Sequence, residues 1–189
     1  MTLGDGHLLA HAFGALGLAS IVVSWQFKAR DRILLANVVG FLFFALQLFL
    51  LDALTGALMM GVAAIYTTVS IFTIQRRFLY AFALVVIGLG VTTYSSWVDV
   101  LPTAANLTGL IAFFAATTQR LRLWAPVGTI LWAIHNFIVG AWSQALADLL
   151  ILASMLVGYL RHQGWLPAAD SPEAGALTRL LQRLLGGPR

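Results

Sequence analysis

The sequence predicts an all-α membrane protein of seven transmembrane helices in a 3+1+3 arrangement, two parallel three-helix repeats joined by a linker helix. Three observations carry that prediction. The 189 residues are 60% hydrophobic and 10% charged with a mean hydropathy of +0.90, well outside the range of soluble domains. Breaks in hydropathy divide the chain into seven apolar runs, and crossing a hydrocarbon core of roughly 30 Å takes about 17 to 25 helical residues. The 11 lysines and arginines all fall on one side of the resulting topology.

The first span, 7–27, has no Lys or Arg before it, so it lacks the basic leader of a cleavable signal and reads as a retained helix. Lys28, Arg30 and Arg32 follow it. The second and third spans, 33–51 and 54–74, end at Arg76 and Arg77, and the fourth, 78–96, is the spare pass. The fifth, 101–118, opens on Leu101-Pro102 and precedes Arg120 and Arg122; the sixth and seventh are 123–140 and 143–160. Arg161, Arg179, Arg183 and Arg189 come after the last span, while the opposite side holds Asp5, Asp52 and Asp99. The positive-inside rule then places the N-terminus outside and the C-terminus in the cytoplasm. Runs apolar on every face exclude transmembrane strands, which alternate.

Four regions follow: a first repeat over 1–77, a linker over 78–100, a second repeat over 101–160 and a cytoplasmic tail over 161–189. In the tail, Ser171 and Pro172 suit a helix start near 172–185, with Leu177, Leu180, Leu181, Leu184 and Leu185 on one face and Arg179 and Arg183 on the other. Such a helix either lies on the inner leaflet or caps the bundle. The pI of about 10.1 reflects topology signals between spans, not a nucleic-acid surface. With no cysteine there is no disulfide framework or thiolate chemistry.

The two triplets align on each other. An offset of 88 pairs Gly40 with Gly128, Ala45 with Ala133, Phe49 with Phe137, Ala53 with Ala141, and Ala57-Leu58 with Ala145-Leu146. For the first and fifth spans an offset of 92 pairs Gly17-Leu18 with Gly109-Leu110 and Lys28 with Arg120, as if the first cytoplasmic loop were four residues longer. A single-pass linker gives both triplets the same orientation, related by an axis along the membrane normal.

Leu101-Pro102, Trp132-Ala-Ile-His135-Asn136-Phe137 with Gly140, and Phe49-Leu50-Leu51 resemble the YgjV-type family of bacterial inner membrane proteins, over about residues 10 to 161. The resemblance implies a multi-pass protein of the bacterial inner membrane, distantly similar to the SWEET and PQ-loop transporters. Prolines mark the first two helices of SWEET-like halves, whereas here Pro102 and Pro126 stand in the second half alone and the Pro-Gln signature is absent.

Polar residues inside the spans carry the functional expectation. His135 lies five residues, roughly 7 to 8 Å, below the outer end of the sixth span, and Asp148 lies at the same depth in the seventh. Across a short hairpin the two side chains can meet and exchange a proton near neutral pH. Asn136 is about 100° further round the helix, so one of His135 and Asn136 is expected to line a cavity while the other bonds within the bundle. Asn37, Gln47 and Asn106 extend this polar set, and Trp132 offers an aromatic wall. Gln47 and Met60 occupy the places in the first repeat that match His135 and Asp148. Trp25, Trp97, Trp124 and Trp142 read as interfacial anchors.

The expected function is binding or transport of a small polar solute through a cavity between the repeats, at His135, Asn136, Asp148, Trp132, Gln47, Asn37 and Asn106. The alternative is a structural or regulatory membrane component whose polar residues only pack helices. No zinc-protease, nucleophile-elbow or phosphate-loop motif is present, so neither an enzyme nor a metal or cofactor is expected. The partners expected are the bilayer, a small polar solute and a second copy of the chain, and not nucleic acid.

Overall fold

Each apolar run becomes a helix because a helix satisfies its own backbone hydrogen bonds where water is scarce. The structure, a computed structural model, describes residues 3–51, 54–138 and 142–162. Its helices are α1 (Leu3–Ser24), α2 (Arg30–Leu50), α3 (Leu54–Phe72), α4 (Arg76–Thr92), α5 (Val100–Phe113), α6 (Thr118–Ile138) and α7 (Trp142–His162), with a 3-10 turn at Trp97–Asp99. No strand occurs among the described residues. The tail helix expected near 172–185 lies outside them.

The boundaries shift by up to five residues from the hydropathy reading, most between the fifth and sixth helices. The fifth helix stops at Phe113 instead of 118, and the sixth starts at Thr118 instead of 123, taking Arg120 and Arg122 into its first turns. Thr117 supplies the start, its Oγ1 accepting from the Arg120 amide at 3.3 Å. Arg122 is tolerated inside a helix because carbonyl oxygens of the segment just after α1 satisfy its guanidinium, as described below.

Helix neighbours run in a closed ring. α1 packs on α2, α2 on α3, α3 on α5, α5 on α6, α6 on α7 and α7 on α1, while α4 sits outside against α5 and α3. Glycines permit the tightest approaches. A Cβ at Gly40 of α2 would stand 3.1 Å from the Gly17 carbonyl oxygen of α1, and one at Gly128 of α6 would stand 2.9 Å from the Ala105 carbonyl oxygen of α5. Gly17 and Ala105 are therefore the matching contacts, 88 residues apart like Gly40 and Gly128. This corrects the offset of 92 for the first and fifth helices, which is one helical turn out. Helix starts keep the same spacing, Arg30 with Thr118 and Leu54 with Trp142.

The outer surface is apolar. Phe72 is 83% exposed, and Leu8, Leu84 and Val91 are 70% or more. Water would penalise so much exposed apolar area, whereas lipid does not. Two described helices, Arg30–Leu50 and Gln144–Arg161, are long and apolar enough to cross a membrane on length and composition, with Leu8–Ser24, Gly56–Phe72 and Trp97–Phe113 as shorter apolar helices. Trp97 and Trp124 stay exposed, but Trp25 is 1% exposed and belongs to the core, so it is no surface anchor.

Candidate functional site

All six ring helices line one cavity of about 370 Å3, and α4 does not touch it. This volume lies at the small end of ligand pockets. Its wall is mostly apolar and aromatic: Trp25 from the turn after α1, Phe41 and Phe44 from α2, Tyr66 from α3, Phe113 from α5 and Trp132 from α6. Polar side chains gather toward one end. His135 and Asn136 come from the last turn of α6, and Gln144 and Asp148 from the first two turns of α7.

The α6–α7 hairpin sets the geometry of that end. The Asn136 side-chain amide donates to Asp148 Oδ2 at 2.8 Å. This turns Asn136 Oδ1 toward His135 Nδ1, 3.3 Å away, so the imidazole donates from Nδ1 and in its neutral form keeps Nε2 as an acceptor. The pair expected between His135 and Asp148 is thus a relay through Asn136. Both His135 and Asn136 border the cavity, because the amide can face it while still reaching α7. Trp132, one turn back, stands edge-on to the imidazole at 5.8 Å and 87°.

Other expected site residues divide. Asn37 lines the cavity and is held by bonds from its amide to Ser24 Oγ at 2.9 Å and the Ile33 carbonyl at 2.8 Å. Asn106 lines it too, donating to the Pro102 carbonyl at 3.0 Å and accepting a long bond from the Tyr66 hydroxyl at 3.5 Å. Gln47 does not line it. Its side chain fills the space beside Gly14 of α1, where even a Cβ would meet the amide at 2.4 Å, so the absence of a side chain at Gly14 draws Gln47 away from the cavity. Gln144 was missed, although its spacing of four from Asp148 puts both on one face of α7.

The opposite end of the ring is closed by two arginines. Arg30, at the start of α2, donates from Nε to the Ala115 carbonyl at 2.8 Å and from Nη2 to the Ser70 carbonyl at 3.0 Å and to the Phe113 carbonyl. Arg122, in the second turn of α6, donates to the Trp25 carbonyl at 3.1 Å and to the Phe27 carbonyl. Both satisfy carbonyls that helix ends leave without partners. The accepting positions correspond at an offset of 88, Trp25 to Phe113 and Phe27 to Ala115, and each arginine reaches from one triplet to the first helix of the other. Reading these cations as topology signals alone missed this. At the offset of 88 Arg30 matches Thr118, so Arg122 stands one helical turn further into α6 than Arg30 does into α2.

Electrostatically, among the described residues Asp148 is the one carboxylate bordering the cavity, and no Lys or Arg borders it. Among the described residues the ion pair seen is Arg30–Asp31 at 3.3 Å, and no three His, Asp or Glu side chains converge on a metal position. Comparison with known proteins gives a family match: a family model described as a bacterial inner membrane protein, Imp-YgjV, matches residues 8–164. No curated protein and no solved structure matches the chain.

Proposed function

The chain belongs to the Imp-YgjV family of bacterial inner membrane proteins, and from that premise we propose that it binds a small solute in the six-helix cavity and carries it across the membrane. In this reading the chain crosses the membrane seven times in a 3+1+3, SWEET-like plan, with the N-terminus outside and the C-terminus in the cytoplasm. Charge placement supports the orientation, and helix starts recurring 88 residues apart support two parallel triplets. The polar end of the cavity then faces outward and the arginine-closed end faces the cytoplasm.

The observation that carries the proposal is the cavity itself: every ring helix contributes to it, and His135, Asn136 and Asp148 converge at one end. A sealed bundle would bring these groups together without leaving space beside them. The role is one of binding and movement, with no catalytic step. The rival reading, a packing component, draws on the Asn136–Asp148 bond that ties α6 to α7.

Solute flux in proteoliposomes separates the two. With a panel of sugars, amino acids, organic acids and amines, uptake by the wild type that disappears in a folded His135→Ala, Asp148→Asn double variant supports transport. No uptake of any solute, together with a marked fall in thermal stability of the double variant, supports packing.

A further inference from the structure

We propose that the ligand of this cavity is an organic cation, an ammonium group on an aromatic or similarly apolar body, with Asp148 as its counter-ion. The inference deepens the binding reading above and rests on it.

Charge comes first. Among the described lining residues Asp148 is the one with a formal negative charge, and its hydrogen-bond partner is a single neutral amide, that of Asn136. A carboxylate offers about four acceptor positions. Its bonded donor is one neutral amide, His135 reaches it through that amide alone, and no Lys or Arg stands among the described lining residues, so it lacks the direct compensation that a buried charge requires. A ligand ammonium supplies both the opposite charge and up to three donors. An anionic ligand would meet the carboxylate head-on.

The rest of the wall decides the body. Trp25, Phe41, Phe44, Tyr66, Phe113 and Trp132 border the cavity from four helices and the turn after α1. Such a surface rewards apolar contact and offers ring faces to a cation. A sugar needs hydrogen-bond partners on most sides, and Asn37 and Asn106 already spend amide donors on Ser24, Ile33 and Pro102. The structure therefore moves the expected solute from simply polar to amphiphilic, with its charged head at the His135–Asn136–Asp148 end and its apolar part toward Trp25 and Phe113. A volume of about 370 Å3 accommodates a single-ring or fused-ring amine.

The test uses the full chain in nanodiscs and three probes with one ring and different heads: phenethylamine (cationic), 2-phenylethanol (neutral) and phenylacetate (anionic). Equilibrium binding is measured for the wild type, Asp148→Asn and Asp148→Glu, each checked for its unfolding midpoint. Phenethylamine is expected to bind at least about tenfold tighter than 2-phenylethanol, with phenylacetate weakest. Asp148→Asn should erase that preference and Asp148→Glu should retain it. Equal binding of all three probes, tighter phenylacetate binding, a preference that survives in Asp148→Asn, or no saturable phenethylamine binding each overturns the proposal. The flux panel separates its failure from that of the broader reading. Uptake of an uncharged solute that depends on Asp148 but that phenethylamine does not inhibit leaves transport standing and removes the amine. Charge-selective binding without flux of any solute does the reverse.

Discussion

The helices α1 to α3 and α5 to α7 are alike at one end of the cavity and unlike at the other. At the arginine-closed end, Arg30 reaches the end of α5 while Arg122 reaches the end of α1, and the accepting carbonyls fall at matching positions. At the polar end, Gln47 and Met60 stand where the second half has His135 and Asp148. Gln47 packs against α1, and Met60 lines the cavity without any charge to offer. The shared features join α1 to α3 with α5 to α7, and the features that differ form the polar end of the cavity. Where a fold repeats, the departures from the repeat are the place to look for chemistry.

The closed end gives the largest expected effects. Arg122→Ala removes two charge-assisted hydrogen bonds and leaves the Trp25 and Phe27 carbonyls without that donor, at a cost of about 3 to 6 kcal/mol. Gly158→Ala should be comparably severe. A Cβ there would lie 2.1 Å from the Trp25 carbonyl oxygen and 2.8 Å from Arg122 Nη1, and the backbone oxygen has little room to yield. Arg30→Ala should match Arg122→Ala within a factor of two, by thermal unfolding in nanodiscs. If one arginine is silent while the other is essential, the two ends of the exchange are not equivalent and the comparison breaks.

Next come substitutions that make the second half resemble the first. His135→Gln and Asp148→Met each install the residue found at the matching position. Solute binding should fall about tenfold or more in each, while stability changes by about 1 to 2 kcal/mol through loss of the relay bonds to Asn136. Equilibrium binding and unfolding midpoints on the same samples check both. A large loss of stability with unchanged binding would make the polar end a joint and not a site.

A smaller effect lies at the α1–α7 contact. Ser154 Oγ donates to the Val22 carbonyl at 2.6 Å and accepts from Gln26 Nε2 at 2.8 Å, where the first half has Tyr66, a cavity-lining residue. Ser154→Ala should cost about 1 to 2 kcal/mol in unfolding without changing the binding preference among probes.

The sequence made the seven helices legible because apolar runs and charged breaks are local properties. It placed His135 and Asp148 near each other because a short hairpin and equal depth constrain both, but not the Asn136 amide between them, which depends on how α6 is turned toward α7. It could not show that Gln47 turns toward Gly14, since that depends on which faces of α1 and α2 meet. The limits of α5 and α6 were misjudged for a related reason. Hydropathy counts Arg122 as a helix breaker in the membrane, yet carbonyls of Trp25 and Phe27, just after α1 and 97 and 95 residues away, make it a good interior residue. Trp25 was taken for an anchor by depth alone, while its near-complete burial follows from the closure of α1 on α7, a contact between the two ends of the ring.

The smallest effect sharpens the comparison at the entry to α5. Here α5 begins after a tight turn, whereas α1 continues unbroken through the matching position, His11. Asp99 Oδ2 accepts from the Ser95 amide at 2.9 Å, the Ser95 hydroxyl at 2.8 Å and the Ser96 amide at 2.7 Å, and these bonds hold its carboxyl below the ordinary 3.8. A carboxyl with a lowered folded-state pKa stabilises the fold above its unfolded value of about 3.9, and that contribution disappears as pH falls through the folded value. The carboxylate is exposed, so the effect is small. Between pH 6 and pH 3 the unfolding midpoint of the wild type should fall slightly more than that of Asp99→Asn, with the two converging at the acid end. Parallel curves would mean that the Ser95–Asp99 turn does not hold the start of α5, and that the packing of α5 on α6 sets it alone.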